Sequence, residues 1–346
     1  MLSSKSSNAI IAKARAKYGK SLSAKDYTEL TACHSVSEVA AYLKTHTVYE
    51  QTLAGLNEND VHRGQLETVL KQHLYTDILA LSKYETSKSF KTSDYLLGRL
   101  EIEQIIKCLT MINSGHPEDY LYAAPLSFSS FFKINIQALA KARSYDDVLE
   151  TLKGTMYEKP LKKCIPSDEK QKVSLSEVEN GLMNTLFEYV FKNIAHIKGK
   201  NEREELNELF CAYIDFKNIS VIIRMKKYYN FPAEKIHQLL LPYGKLSKKT
   251  INRLCSSENH DTVFQAASKT YLGNTIKKLS YNDQVQVLSA LMTTHCKRLL
   301  HFSLSPEVVM VSYMFLTDIE LTNIINIIEA TRYTISSDEK MKLLVL

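Results

Sequence analysis

Apolar positions along this chain recur at helical intervals wherever they are regular. Leu182, Leu186, Val190, Ile194 and Ile197 follow one another four or three residues apart, which is one face of an α-helix. Segments 59–86, 201–229 and 308–334 are also long and contain no internal proline. The period-two alternation of half-buried strands is not apparent. The pattern predicts an all-α chain with three long antiparallel hairpins, 59–86/92–113, 174–198/201–229 and 282–301/306–334. Polar clusters or helix breakers stand between their arms: the Ser-Lys-Ser-Phe-Lys-Thr-Ser run after Leu81, the Lys198-Gly199-Lys200 corner, and Ser305-Pro306. Proline fits the first turn of a helix, where its missing N–H has no intrahelical partner. The stretch from Pro160 to Lys172 is polar, carries two prolines and reads as a loop.

The hairpins belong to a repeat of roughly 110 residues, an ordinary size for one structural unit. Ahead of each hairpin lies a short helix, a polar turn and a second helix ending near a tyrosine: Ser23 to Leu53, Lys133 to Leu161 and Leu246 to Ile276. Val39, Val148 and Val263 align, as do Tyr49, Tyr157 and Tyr271. Thr47 and Thr155 stand two residues before their tyrosines, whereas Thr270 directly precedes Tyr271. The second arm of each hairpin carries an acid, two spacers, an amide and Ile: Glu101/Gln104/Ile105, Asp215/Asn218/Ile219 and Glu320/Asn323/Ile324. Three tandem units are therefore expected, 1–114, 115–230 and 231–346.

Composition supports long helices and narrows the chemistry. Only 10 Gly and 7 Pro punctuate 346 residues, and these residues serve turns more than helices. The net charge of +6 is mild for a nucleic-acid binder, and the basic runs Arg224-Met225-Lys226-Lys227 and Lys159 to Lys163 lack interleaved stacking aromatics. Six cysteines at 33, 108, 164, 211, 255 and 296 form no C-x-x-C pair and read as reduced, mostly buried thiols of a cytosolic protein. No run is expected to supply the ~20 apolar residues of a spanning helix. Tyr18-Gly19-Lys20-Ser21 ends like a phosphate loop, but position 14 is Ala where that motif needs Gly; Gly19 reads as a helix end. Scattered histidines, with His295 and His301 six apart, and the acidic neighbours Glu101/Glu103 and Glu204/Glu205 define no active site.

Residues at i and i+3 share a helix face. The repeated acid and amide either bridge locally within their own repeat or, since tandem units can curve around an axis, line a hollow that receives another protein. The second alternative assigns Glu101, Gln104, Asp215, Asn218, Glu320 and Asn323 to that surface.

Three stretches carry a family resemblance. They are NAIIAKARAKYGKSLSAKDYTELTACHSVSEVAAYLKTHTVYE near the start, AYIDFKNISVIIRMKKYYNFPAEKIHQLLLPYGKLS in the middle and SPEVVMVSYMFLTDIELTNIINIIEATRYTISSDEKMKLL at the end. The chain resembles the C subunit of the bacterial and archaeal V/A-type ATPases, the relative of the eukaryotic d subunit. The third repeat departs from the Thr-x-Tyr spacing, and segment 160–176 has no counterpart. The resemblance implies a funnel of three pseudo-threefold-related helical domains in the central stalk of a rotary ATPase. Such a subunit is a non-catalytic socket, peripheral at the cytoplasmic face of the membrane. It links the central-shaft subunits to the membrane rotor ring that moves H⁺ or Na⁺. It binds no cofactor, metal, nucleic acid or small-molecule substrate. The other reading is a generic helical-repeat scaffold that binds a protein in its concave face.

Overall fold

The structure, a computed structural model, describes residues 2–57, 61–85, 87, 89–165, 172–273 and 284–346. Every regular element among the described residues is helical, so the class is all-α. Seven helices are long: α1 (Leu2–Tyr18), α2 (Arg63–Ser82), α3 (Thr92–Ser114), α4 (Leu175–Ala195), α5 (Lys200–Arg224), α6 (Gln284–Phe302) and α7 (Pro306–Arg332). The last six are the three expected hairpins. Residues 58–60, 86, 274–276 and 282–283, which fall in the expected arms or repeats, lie outside the described residues. Ser305 caps α7 by accepting from the Val308 N–H, and Pro306 takes the first helical position, as its locked φ favours. Gly19 follows the end of α1, so Lys20 and Ser21 do not open a helix after a strand, as a phosphate loop would require.

Short helices precede each hairpin: Ala24–Ala32, Val36–His46 and Glu50–Leu53; Ile136–Leu139, Tyr145–Thr151 and Glu158–Lys162; Lys248–Cys255 and His260–Ala267. Reciprocal capping boxes start three of them, through Ser23 and Asp26, Ser144 and Asp147, and Asn259 and Thr262. Each box satisfies two N–H groups that a helix start otherwise leaves without partners. Val39, Val148 and Val263 are all fully buried, which explains why they align. The expected loop from Pro160 is corrected at its start. Residues 160–162 are helical, with Pro160 and Leu161 buried, because proline near a helix start loses no hydrogen bond. Residues 166–171 lie outside the described ones.

The second arm of each hairpin packs on the first arm of the next: α3 on α4, α5 on α6, and α7 back on α2. The hairpins thus close a circuit. At the α3–α4 crossing, a Cβ on Gly98 would lie 2.6 Å from Leu186 Cδ1, so glycine lets the two helices approach. The second arms also meet one another, α7 touching both α3 and α5. Near their N-terminal ends they share an aromatic cluster. Tyr95 meets Phe210 edge to face with centroids 5.0 Å apart, and Tyr213 stacks on Phe315 at 4.7 Å.

Helix α1 runs along α7 and is pinned by Arg15, whose guanidinium donates to the Leu300 and Ser303 carbonyls at 2.8 and 2.9 Å. Contrary to the sequence expectation, α7 is long and apolar enough to cross a membrane, with a mean hydropathy of 1.5; 72% of that window is buried inside the protein, as in a core helix. All six cysteines are free thiols, and Cys108, Cys255 and Cys296 are buried.

The aromatic cluster gives one expectation. Phe210→Ala removes a fully buried ring that touches both Tyr95 and Phe315, and should cost about 3–5 kcal/mol in urea denaturation. A loss below about 1 kcal/mol, far short of a buried aromatic's worth, would show that the cluster is not a packed core.

Glu307, in the first turn of α7, gives a second. Burial, together with the neighbouring charge of Glu202 in α5, pushes it up to about 7 from an ordinary 4.5. Its folded value lies above its unfolded one, so its stability contribution is complete below about pH 4.5 and is lost as pH rises through 7. Glu307→Gln should therefore match the wild type at about pH 4.5 and exceed it by roughly 1–3 kcal/mol at about pH 8. A difference independent of pH would refute this.

Candidate functional site

The three repeated carboxylates make the same contacts. Glu101 in α3 accepts from the Lys133 and Ile134 N–H groups at 2.5 and 3.3 Å, and from the Tyr157 hydroxyl at 2.7 Å. Asp215 in α5 accepts from the Lys245 and Leu246 N–H groups at 2.9 and 3.1 Å, and from Tyr271 at 2.8 Å. Glu320 in α7 accepts from the Leu22 N–H at 2.9 Å and from Tyr49 at 2.8 Å. Each carboxylate therefore grips the start of a short-helix cluster and the tyrosine near its end. The gripped cluster belongs to the following hairpin, and α7 returns to the first. Ionised acceptors make such bonds stronger than neutral ones. Burial raises Asp215 and Glu320, against the opposing pull of these donors. Burial and the facing carboxylate push the Tyr49, Tyr157 and Tyr271 phenols up, so they stay protonated donors.

The amides do parallel work. Asn218 exchanges two bonds with the Leu241 backbone at 2.8 and 2.9 Å, and Asn323 does the same with Val345 at 2.7 and 2.9 Å. Gln104 instead accepts from the Tyr120 hydroxyl at 3.1 Å.

The irregular third repeat has a physical account. Thr47 and Thr155 each donate to a carbonyl behind them and accept the N–H of the tyrosine two residues on. Thr270 makes the same pair of bonds, but the residue two on is Leu272, which is buried. Tyr271 reaches Asp215 from the adjacent position and is 45% exposed, against 3% for Tyr49 and 2% for Tyr157. Its carboxylate fits tightly: a Cβ on Gly244 would lie 2.0 Å from Asp215 Oδ1.

A different face of the same helices lines a hollow of about 690 Å³ between the second arms. Arg99, Tyr213 and Asp318 occupy equivalent positions two residues before each acid. Glu103, Lys217 and Thr322 stand two after it, and Ile106 and Ile325 five after it; all of these line the hollow. At about 100° per residue, these positions share one side of each helix, roughly opposite the acid and amide. Arg99 pairs with Asp318 at 3.0 Å. Burial is the largest influence on Arg99 and opposes its charge, but Asp318, Tyr95 and Tyr213 together outweigh it and raise the group well above its ordinary value. The aromatic cluster lies toward the N-terminal ends of the second arms and the hairpin connections. The hollow therefore extends toward the C-terminal ends.

The six residues expected to line such a hollow take another place. Glu101, Gln104, Asp215, Asn218, Glu320 and Asn323 are each at most 9% exposed. They point toward the short-helix clusters and are brought together in three separate pairs. Backbone N–H and C=O groups and tyrosine hydroxyls take up their hydrogen bonds, which keeps all six off the hollow between the second arms, although Asn218, Glu320 and Asn323 border other clefts. Neither do the acids bridge within their own expected unit: each holds the next one. The lining residues were missed because their identities differ between repeats. Their signal was positional, a polar or charged side chain two residues beyond each repeated acid.

The sequence is matched by those of known proteins. The family described as ATP synthase (C/AC39) subunit matches residues 10–343. The chain is 24% identical over 267 residues to the A-type ATP synthase C subunit of Pyrococcus horikoshii, covering 77% of this chain and 68% of that one. It is 23% identical over 269 residues to the same subunit of Pyrococcus abyssi, covering 78% and 69%. It is 23% identical to that of Methanosphaera stadtmanae over 270 residues, covering 77% and 66%. With the match extending over nearly its whole length, the chain belongs to the ATP synthase (C/AC39) subunit family.

Proposed function

We propose that the chain is a central-stalk coupling subunit of a rotary A/V-type ATPase, a non-catalytic socket that joins the rotor shaft to the membrane ion-translocating ring and transmits torque. The observation that carries this reading is the hollow lined by equivalent positions of three hairpins. Charged side chains at its wall, Glu103 and Lys217 above the Arg99–Asp318 pair, suit a protein occupant whose polar surface must be matched. Units 1–114, 115–230 and 231–346 are the three walls of a funnel in this reading. Transmitting torque requires walls that do not slide past one another, and the carboxylate grips between successive units supply that resistance. The hairpin connections at the far end face the membrane ring, where Phe302 and Leu304 are 79% and 85% exposed beside the turn carrying Lys198 and Lys200. The assignment to a rotary ATPase draws further support from the relatives named as the C subunit of A-type ATP synthase.

The test is purification of the tagged chain from gently solubilised membranes with identification of its companions. Shaft, ATP-hydrolysing and membrane-ring subunits are expected with the wild type. Glu103→Lys combined with Lys217→Glu should lower shaft retention at least about tenfold, or ~1.4 kcal/mol, while leaving the melting temperature nearly unchanged. Recovery of the chain alone, or with soluble partners only, would favour a general protein-binding scaffold.

The grips between units can be tested separately. Tyr157→Phe strips a buried hydroxyl from Glu101 and should cost about 1.5–3 kcal/mol in chemical denaturation. Tyr271→Phe should cost less than about 1 kcal/mol, since water can reach that half-exposed site. Equal losses at both positions would contradict the role given to burial.

A further inference from the structure

The open ends of the three second arms are not alike. Each arm ends in a residue of left-handed conformation: Gly115 at φ 84°, Asn230 at φ 47° and Thr334 at φ 53°. From the repeated amide to that residue the spacing is 115 − 104 = 11 in the first, 334 − 323 = 11 in the third, but 230 − 218 = 12 in the second. The hydrogen bonds register the same difference. The His116 N–H reaches back five residues to Met111 and that of Ile335 five to Ala330, each at 3.0 Å, whereas that of Phe231 reaches back six to Met225 at 3.3 Å. One additional residue is accommodated by a single π-turn, Met225–Tyr229. Such turns are rare and are frequently found at functional sites.

The π-turn gives this rim two adjacent exposed tyrosines, where the third rim has Tyr333, 66% exposed with Arg332 over its ring, and the first has Tyr122. Tyr228 and Tyr229 are 67% and 62% exposed. Lys227 lies over the Tyr228 ring at 5.2 Å, and Lys235 over Phe231 at 5.4 Å. From 224 to 238 the chain holds Arg224, Lys226, Lys227 and Lys235 against one carboxylate, Glu234. Over the equivalent windows, 109–123 of the first rim holds Glu118 and Asp119 and no Lys or Arg, whereas 328–342 of the third balances Glu329, Asp338 and Glu339 against Arg332, Lys340 and Lys342. The basic rim is also continuous with the hollow. Lys217, Glu179 and Met183 line both the hollow and a cleft of about 290 Å³ whose wall includes Arg224 and Met225.

We propose that the Met225–Tyr229 turn is an indexing dock: an acidic segment of the protein seated in the hollow lies across this basic, tyrosine-bearing rim and fixes that protein in one of three otherwise similar rotational settings. The charge of the rim selects the occupant. Carboxylates pair with Arg224, Lys226 and Lys227, are repelled by the acidic first rim and find no net attraction at the charge-balanced third, so one setting is favoured over the other two. Exposed tyrosines supply rigid contact area at little entropic cost. The inference rests on the socket reading of the hollow.

The experiment uses the intact complex, purified on a tag carried by this chain and washed with rising sodium chloride. Lys226→Glu combined with Lys227→Glu should release the shaft at less than half the salt the wild type withstands. A photo-crosslinking residue, Tyr228→p-benzoylphenylalanine, should join the shaft protein within a stretch rich in Asp and Glu. Because the crosslinking variant leaves the rim charge intact, it reports even if the charge reversal disturbs local folding. Shaft release at wild-type salt, or a crosslink to lipid, to the membrane ring or to a non-acidic stretch, would overturn the dock. The socket would still stand if Glu103→Lys with Lys217→Glu weakened retention. Absence of any shaft protein with the wild type would remove the socket and the dock together.

Discussion

A buried carboxylate that holds the start of another segment is the constraint on which this architecture turns. Removing Glu101, Asp215 or Glu320 from water is costly unless donors replace the lost hydration. In each case the replacement comes from the next short-helix cluster: backbone N–H groups just ahead of its first helix, and a tyrosine hydroxyl near its last. The cluster therefore has only a small range of positions in which the acid is satisfied. Three such arrangements in sequence orient the hairpins relative to one another, and the second arms then meet around the aromatic rings and the hollow. Apolar packing supplies the greater part of the stability, while the carboxylates specify which surfaces pack.

Much of this was legible in the sequence. The long arms of the hairpins declared themselves by the spacing of their apolar residues, and Ser305-Pro306 marked the start of α7. The repeated acid and amide were equally visible, yet their orientation was not. Periodicity tells which residues share a helix face; it does not say whether that face turns toward a neighbouring cluster or toward a shared axis. The deciding partners of Glu101 lie at Lys133, Ile134 and Tyr157, and those of Glu320 at Leu22 and Tyr49. No local pattern reports contacts across 56 or 298 residues. The hollow was harder still, because Glu103, Lys217 and Thr322 share a position without sharing a chemistry.

Departures from the repeat proved as informative as its regularities. In the third cluster, Thr270 keeps the hydrogen bonds of Thr47 and Thr155 while Leu272 takes the buried place that the other clusters give to tyrosine. The hydroxyl that Asp215 requires comes from Tyr271 one position earlier, so the chemistry is retained although the spacing is not. The additional residue in the second arm has the opposite character. It leaves the amide and the left-handed residue in place but alters what the rim presents. One irregularity preserves an internal contact, and the other changes an external surface.

The bond from the Leu22 N–H to Glu320 joins residues that leave the ribosome almost three hundred peptide bonds apart. Until that bond forms, the first short-helix cluster has no carboxylate to receive it, and the wall contributed by α7 is missing. An unfinished chain thus presents an open-sided trough with the Tyr49 hydroxyl and the Leu22 amide unclaimed. With the bond formed, α7 packs on α2 and the circuit of hairpins is closed. The bond is therefore also a mark of how far the chain has been made: a chain that stops short of Glu320 leaves the circuit of hairpins open.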